Sequence, residues 1–449
     1  MTNAVTAPKR DSLRGGHTVF AAALTILAVA FQLQITAPFS AVGIRMSAAD
    51  VVIPVFGAML SFMMLRSRIP FPRWRLPHLW LWFGALSLWL AIALLIGRIY
   101  SGQWIAWAVV NKFAGWFVLL ANFIVAGQIA AADPSGRWRR TFLKALFVST
   151  WLLAAGTIFL FALARIGISV FPPGSDAVWR LEGAFVNANA YGYFIAVMIA
   201  LQAPYLAQRS LISLRFHRIG LVIGFVALIL AASRSAWIGC ALALPVLWKT
   251  GSLDLRETIR AAAIGTLLAV VIYLLPTVVR AIVGLIPGGF SIHGFGAPLD
   301  QIYFLQERGS NVDQRLHVMS EAFSAWLAHP IEGIGLGGFF GQRVAAGDNP
   351  LILIHSSAQW LLTETGLIGL GLFLGFFVAV LRTLLVPRAV PEEDSFRIAA
   401  LAALAVFVGA SIGMEAIYQR HLWFLLGWAL AAQPSSETLG VAKSTAAPS

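Results

Sequence analysis

The chain has 449 residues, of which 59% are hydrophobic and only 11% are charged, and its mean hydropathy is +0.81. A soluble domain carries about 25% charged residues, so this composition excludes an ordinary soluble protein and predicts an integral membrane protein with many spans. The net charge of +13 does not indicate nucleic-acid binding, because the basic residues are scattered among short loops between apolar stretches. The single cysteine, Cys240, excludes a disulfide or a thiolate metal cluster within the chain.

About twelve stretches have the length and apolar character of a transmembrane helix, which needs about 20 residues. The first follows three basic residues and is not followed by a small-residue cleavage site, which indicates a retained span rather than a removed signal peptide. The predicted spans lie near 18–38, 48–65, 78–97, 104–130, 142–164, 187–208, 218–232, 235–249, 259–277, 366–386, 397–414 and 421–433. The sequence therefore predicts an all-α polytopic membrane protein.

The positions of the basic residues predict the orientation of the chain. Most of the 32 lysines and arginines fall in every second loop, beginning with the N-terminal segment. Basic loops remain on the cytoplasmic side, so both termini are predicted to be cytoplasmic. The chain is thereby divided into five segments. They are a cytoplasmic tail (1–17), nine spans with an outer loop at 165–186 (18–286), a large outer loop (287–365), three further spans (366–433) and a second cytoplasmic tail (434–449).

The large outer loop is long enough to have a structure and a function of its own. Apolar residues at helical spacing predict a helix over 311–328, which Pro330 ends. A glycine-rich turn, G-I-G-L-G-G-F-F at 333–340, is then predicted to lead into a second helix that carries His355, Gln359 and Glu364. Helical spacing would place His355 and Gln359 on one face of that helix.

Several functions lack their usual residues. No Asp or Glu lies near the middle of a predicted span, which disfavours proton- or cation-coupled transport. The chain has no D-x-D, H-E-x-x-H or P-loop motif, so metal-dependent transfer from a nucleotide sugar and ATP-driven work are both disfavoured. No internal repeat of the kind found in many transporters is evident.

Arginine and histidine remain as the candidate chemistry at the outer face. Arg234, between two serines in a turn joining two apolar helices, either anchors a helix end or clamps an anion bidentately. Arg180 either pairs with Glu182 or Asp176 or binds substrate. His355 is either a packing residue or a base near neutral pH.

Lys112, inside the fourth predicted span, has three possible roles. It either snorkels, pairs with a backbone carbonyl, or lends positive charge to a buried anion.

Taken together, four stretches make the chain resemble the O-antigen ligase and Wzy-type O-antigen polymerase superfamily of bacterial membrane glycosyltransferases. They are R-L-E-G-A-F-V-N-A-N-A-Y-G at 180–192, S-R-S-A at 233–236, R-L-H-V-M…H-P-I-E-G-I-G-L-G-G-F at 315–339 and H-S-S-A-Q-W-L-L-T-E-T-G-L-I-G-L at 355–370. Two positions depart from the pattern: Ser356 stands where many members have Asn, and Ala188 stands in a loop that often reads N-P-N.

The resemblance implies a GT-C-like fold in the bacterial inner membrane and a metal-independent, inverting reaction at the periplasmic face. The donor would be an undecaprenyl-pyrophosphate-linked glycan, and the acceptor would be the lipid A core or another lipid-linked glycan. No cofactor is expected. The resemblance assigns His355 to the acceptor hydroxyl and assigns Arg180, Arg234 and, as a third candidate, Arg315 to the pyrophosphate. The possible supporting residues are Glu364, Gln359, Asn187 and Asn189.

Three alternatives stay open from the sequence. The first is a Wzy-type polymerase of O-antigen or exopolysaccharide repeat units, which differs from a ligase only in its acceptor. The second is a transporter or flippase of lipid-linked sugars, which would need no histidine-bearing helix. The third is a structural subunit of a polysaccharide export complex, which the density of outer-face arginines disfavours.

Overall fold

The computed structural model of the chain describes residues 10–36, 45–66, 70–133, 135–166, 168, 180–185, 187–284, 298–347 and 354–432. Over these ranges the chain is mainly helical. The helices are α1 (Arg10–Ala30), α2 (Ala49–Leu65), α3 (Leu79–Ser101), α4 (Gly115–Ala132, continuing a π-helical segment, Ala108–Ala114), α5 (Arg137–Arg165), α6 (Ala188–Ala207), α7 (Leu214–Ala231), α8 (Arg234–Lys249), α9 (Leu255–Gly284), α10 (Pro298–Ala328), α11 (Gly338–Ala345), α12 (Ser357–Leu385), α13 (Pro391–Ala410) and α14 (Arg420–Leu430).

Two small antiparallel strand pairs join distant parts of the chain. Strands β1 (Gln34–Thr36) and β2 (Arg45–Ser47) pair directly after α1. Strands β3 (Arg73–Trp74) and β4 (Ala431–Ala432) pair across almost the whole sequence. The first span was predicted to reach residue 38, but α1 ends at Ala30 and the following residues form β1.

The prediction of a polytopic all-α membrane protein is confirmed. Among the described residues, 7 helices are long and apolar enough to cross a membrane, and they lie on α3, α4 with its π-helical start, α5, α6, α7, α9 and α12. The remaining predicted spans also coincide with helices, but these are shorter or carry charges. The count of twelve spans therefore stays a prediction.

Helix α14 shows that an apolar run can be shorter than a membrane-spanning helix. Its 11 residues are too few, since they rise only about 16 Å and a hydrocarbon core is about 30 Å thick. Residues 421–430 are all buried. This apolar run, predicted as the twelfth span, therefore forms a short core helix that is surrounded by other helices. Gly427 allows the helix to approach α4 closely, since a Cβ added there would lie 2.2 Å from the carbonyl oxygen of Phe123.

Small residues also hold α8 against α13. A Cβ at Gly239 would lie 2.7 Å from the carbonyl oxygen of Val406, and a Cβ at Gly409 would lie 2.7 Å from the Cα of Gly239. In a membrane, helices associate through such close backbone contacts because lipid supplies no hydrophobic force between them. This contact fixes the first residues of α8, including Arg234, relative to the segment that follows α13.

Helices α3 and α12 define two ends of the bundle. At one end, the C-terminal part of α3 and the N-terminal part of α12 both contact the glycine-rich turn, through the hydrogen bonds Leu336 N–H to Ala93 O (2.8 Å) and Ile334 N–H to Thr363 O (2.9 Å). We call this the site end. The N-terminus of α3 and the C-terminus of α12 lie at the opposite end.

Candidate active site

The glycine-rich turn lies at the site end with its backbone pressed against α3. Gly333, Gly335 and Gly337 have φ angles of 74°, 81° and 78°, the left-handed region that side chains other than glycine rarely adopt. A Cβ at Gly335 would lie 2.0 Å from the backbone nitrogen of Gly97. Both the conformation and the packing therefore require glycine in this turn.

The same turn fills a break in α12 at Gly366. Gly366 has φ 64° and ψ −169°, so the helix is interrupted there. The interruption frees backbone groups, and the residues just before the turn satisfy them: Leu367 N–H donates to Pro330 O (3.0 Å) and Ile368 N–H donates to Ile331 O (3.3 Å). The break separates a short N-terminal part of α12, 357–365, from the long apolar part that follows.

Replacing Gly366 by alanine is expected to destabilise the protein by about 3 kcal/mol or more, since its φ and ψ values lie in a region that is essentially restricted to glycine. The added methyl group would also lie 2.1 Å from the carbonyl oxygen of Ile331. Thermal unfolding in detergent measures this effect. Gly371→Ala is the matched control on the same helix, because nothing lies within 4 Å of its added Cβ. Equal stability of the two variants would contradict this role of the break.

His355 lies before α12 and not within it. The helix begins at Ser357, and Ser356 is its N-cap, with its hydroxyl accepting from Gln359 N–H. The prediction that His355 and Gln359 share a helix face is therefore wrong. The missed signal is S-x-x-Q at 356–359, a capping pattern that places the helix start after the serine. His355 is half-buried on an extended approach to the helix.

The segment that follows α13 holds His355 in place. Ser357 N–H donates to Ser411 O (3.0 Å), and the Ser357 hydroxyl donates to Met414 O (3.1 Å) and accepts from Ala416 N–H (2.8 Å). These bonds attach the residues next to His355 to the segment 411–419. A Cβ at Gly413 in that segment would lie 3.3 Å from the Ser235 Cβ, so the same segment also touches the start of α8 beside Arg234.

Arg315 reaches the site through the packing of α10 against α12. Gln359 donates its side-chain N–H to Met319 O, and the Thr363 hydroxyl donates to Ala322 O (3.1 Å). Both helices therefore run in the same direction here. Arg315 lies about one turn before Met319 on α10, and therefore near the start of α12.

Arg315 and Arg234 form a pair of like charges. The pKa of Arg315 lies below its ordinary value, first because the guanidinium is partly buried and second because the charge of Arg234 acts on it. Neither arginine makes a hydrogen bond or ion pair with another side chain in the part of the chain that the structure describes. Two neighbouring guanidinium groups without a carboxylate are suited to binding an anion.

Arg180 lies at the turn between α7 and α8. Its guanidinium donates to Ala231 O (3.1 Å), Ala232 O (3.4 Å) and the Asn189 side-chain oxygen (2.7 Å). Those carbonyls end α7, where the helix dipole favours a cation. They come directly before Ser233 and Arg234 in the chain, so Arg180 stabilises the turn that presents Arg234. Asp176, the second predicted partner of Arg180, lies outside the described residues.

The supporting candidates have structural partners. Asn187 is the N-cap of α6, and its side chain accepts from Asn189 N–H (2.7 Å). Asn189 in turn orients Arg180. Gln359 ties α12 to α10, as described above. These three residues shape the site.

Glu364 is buried. Its carboxylate accepts from the Trp360 indole N–H (2.8 Å) and from the backbone N–H of Gly337 in the glycine-rich turn. Glu364 does not face solvent, since only 1% of the residue is exposed. Glu364 instead connects the turn to the N-terminal part of α12.

Sequence reasoning did not find the partner of Lys112. Lys112 lies in the π-helical segment before α4 and forms a buried ion pair with Glu415. Its ammonium group lies 4.3 to 4.8 Å from the ring centroids of Trp107, Trp360 and Tyr418. It also acts electrostatically on Glu364. Because Glu415 lies between Met414 and Ala416, this ion pair fixes the segment that holds Ser357.

Lys112→Met is expected to lower the stability by about 3–5 kcal/mol. The substitution removes the cation next to two carboxylates, the partly buried Glu415 and the fully buried Glu364. The side chains of Lys112 and Glu415 are only 3% and 18% exposed. Denaturation in detergent measures the cost. Lys249→Met, at the exposed end of α8, is the matched control and is expected to change stability by less than about 0.5 kcal/mol. An equally small effect of Lys112→Met would contradict the buried ion pair.

In the described ranges, no three His, Cys, Asp or Glu side chains lie close enough together to hold a metal ion. The groups that gather at the site end are instead guanidinium, imidazole and backbone amide groups.

Comparison with known families now identifies this region. Residues 219–374 match the family model described as O-antigen ligase. This region of the chain is therefore similar to the O-antigen ligase family. The predicted resemblance to the superfamily is thereby confirmed, and no curated protein matches the chain.

The matched region contains most of the site described above. It begins in α7 and ends in α12, and it includes Arg234, Arg315, His355 and the glycine-rich turn. Arg180 and the Lys112–Glu415 ion pair lie outside it. The match supports a multi-pass membrane protein with a role of the ligase or polymerase type.

Proposed function

We propose that this protein is a metal-independent, inverting membrane glycosyltransferase with a GT-C-like fold. It would move a glycan from undecaprenyl pyrophosphate onto a sugar hydroxyl of the lipid A core. The reaction would take place at the periplasmic face of the inner membrane, which is the site end of the bundle. The observation that carries this proposal is that Arg234 and Arg315 lie close together beside the segment that holds His355. Neither arginine has a carboxylate partner among the described residues.

The arginines would act on the leaving group. As the bond between the anomeric carbon and the phosphate oxygen breaks, negative charge grows on the pyrophosphate. Arg234 and Arg315 would stabilise that charge by hydrogen bonds that are already oriented before the reaction. Arg180 would support them by holding the α7–α8 turn, and its own guanidinium would add positive potential.

His355 would act on the acceptor. Its imidazole would take the proton from the acceptor hydroxyl as the oxygen attacks the anomeric carbon from the face opposite the pyrophosphate. One glycosidic bond forms, one bond to phosphate breaks, and undecaprenyl pyrophosphate leaves with the electron pair. Attack from the opposite face inverts the anomeric centre.

The arrangement of the site supports a division between donor and acceptor sides. The arginines come from α8, α10 and the segment before α6, whereas His355 comes from the approach to α12. Exposed apolar side chains on the long helices, such as Leu88, Leu267 and Leu374, provide lipid-facing surface along which a polyprenyl chain can lie.

A defined product assay tests the proposal. Purified full-length protein would be incubated in detergent with an undecaprenyl-pyrophosphate-linked oligosaccharide and lipid A core, with EDTA present. Glycosylated lipid A core is the expected product. Longer lipid-linked glycans without glycosylated lipid A would instead show a polymerase. If no new glycosidic bond forms but the donor crosses the bilayer of proteoliposomes, the protein is a transporter and the proposal is wrong.

A further inference from the structure

A cavity of about 890 Å³ lies at the end of the bundle opposite the candidate active site. It opens between the N-terminal end of α3 and the C-terminal end of α12. Along α12, Arg382 in its wall lies 16 residues beyond Gly366, which corresponds to about 24 Å of helix. The cavity is therefore separate from the site that holds His355.

The polar wall of this cavity is basic. Arg75, Arg382, Arg388 and His78 line it, and none of its lining residues is acidic. Arg75 lies 3.4 Å from Glu393, so one of these charges already has a partner. The nearby carboxylate of Asp394 is occupied by Arg397, at 2.6 and 3.1 Å, and by the backbone N–H of Arg388.

Positive charge remains in excess after these pairs are counted. The side chains of Arg382 and His78 make no hydrogen bond or ion pair in the described part of the chain. The Nη2 atom of Arg388 is buried and has no hydrogen-bond partner there. The pKa of Arg388 is lowered by its burial and then by the charges of Arg75 and Arg397, which outweigh the opposite effect of Glu393 and Asp394. A buried guanidinium group near other cations lowers the stability of the folded protein unless an anion binds to it.

The other wall is apolar and continues onto the lipid-facing surface. Trp82 packs against Gly375, where a Cβ would lie 2.7 Å from the indole ring. Val378 and Val386 of α12 line the cavity and are 44% and 57% exposed. Because α3 and α12 are both long and apolar enough to span a membrane, this wall lies where acyl chains meet the headgroup region.

We propose that this cavity binds an anionic phospholipid, with the headgroup phosphate on Arg382 and Arg388 and an acyl chain along the apolar wall beside Trp82. Basic pockets between membrane helices recognise phosphate headgroups in this way. By the distribution of basic loops, this is the cytoplasmic leaflet. The proposal does not depend on the chemistry at His355.

Native mass spectrometry of the purified full chain tests the proposal. The protein would be titrated with palmitoyl-oleoyl phosphatidylglycerol and, separately, with phosphatidylcholine of the same acyl chains. Wild-type protein is expected to retain the anionic lipid at least tenfold better, because each charge-assisted hydrogen bond contributes about tenfold or more in affinity. Arg382→Gln/Arg388→Gln is expected to lose this preference, and Arg382→Gln alone, at an exposed position, to lose part of it.

Arg256→Gln/Arg260→Gln is the matched control. Both arginines are exposed on α9, at the end marked by the Arg218–Glu257 ion pair, and neither lines the cavity. This variant is expected to keep the wild-type preference. An equal loss in the control, an unchanged preference in both cavity variants, or no preference in the wild type would overturn the proposal. Displacement of the lipid by inorganic phosphate alone would show an ion site rather than a lipid site and would overturn it as well.

Discussion

Replacing His355 by alanine is expected to lower glycosyl transfer by about 10²–10⁴-fold, the usual contribution of a general base. The imidazole is the proposed acceptor of the hydroxyl proton, and alanine offers no atom for that role. The donor pyrophosphate would still bind to the arginines, so the Michaelis constant for the donor is expected to change by less than about threefold. Steady-state rates of product formation with varied donor and acceptor measure both quantities.

His317→Ala is the matched control for this variant. His317 lies in the same large loop, on α10, and its side chain is 72% exposed beside Glu321. It lies two residues from Arg315, and residues at that spacing do not face each other on a helix. Wild-type activity is expected. Loss of activity in both variants, or in neither, would contradict the proposed role of His355 as the general base.

Replacing Arg234 by glutamine is expected to lower the transfer rate by about 10²–10³-fold, as removal of one oriented donor does at other sites of developing charge. Glutamine keeps some hydrogen-bonding capacity but not the charge. Arg234→Lys is expected to fall between the wild type and Arg234→Gln, because lysine keeps the charge but cannot bind phosphate oxygens bidentately. Rates under donor saturation separate this effect from weaker donor binding.

Arg98→Gln provides the comparison for Arg234. Arg98 lies in the last turn of α3, at the site end of the bundle, and is partly exposed. Its replacement is expected to leave the rate within about twofold, since an exposed charge at a distance is screened by solvent and salt. If Arg98→Gln and Arg234→Gln reduced the rate equally, a general loss of positive potential would explain the effect better than a specific clamp.

The sequence was sufficient for the parts of the fold that depend on local patterns. Apolar runs located the long helices, and the predicted start of the tenth span at residue 366 coincides with the break in α12 at Gly366. The helix predicted over 311–328 lies within α10, which begins earlier, at Pro298. The predicted break between α7 and α8 is present, but it lies at Ala232 and Ser233, because Arg234 and Ser235 already belong to α8. Each of these features follows from residues that are neighbours in the chain.

The features that were missed depend on residues far apart in sequence. Lys112 and Glu415 are separated by 303 positions, and no local pattern links them. The apolar run of α14 looks like that of a span, but its neighbours surround it completely, and only packing can show that. His355 was misplaced for a different reason, since its helical spacing to Gln359 was given more weight than the capping serine between them.

The roles of His355 and the arginines remain predictions, and the fold shows which elements hold each of these residues. Arg315 lies close enough to Arg234 for the two charges to interact, and Glu364 and Lys112 connect the surrounding segments from within. Arg234 and Arg315, which have no side-chain partner among the described residues, thus differ from Glu364 and Lys112, whose charged groups bind other parts of the protein. Mutations of the second group are expected to affect stability before they affect chemistry.

The most direct test is the release of undecaprenyl pyrophosphate coupled to the glycosylation of an acceptor. Purified wild-type protein in EDTA, supplied with a lipid-linked oligosaccharide donor and lipid A core, is expected to form both products in equal amounts. His355→Ala and Arg234→Gln, each folded as judged by thermal unfolding, are expected to form almost none in the same time. Full activity in both variants, or no coupled release by the wild-type protein, would contradict the proposed site.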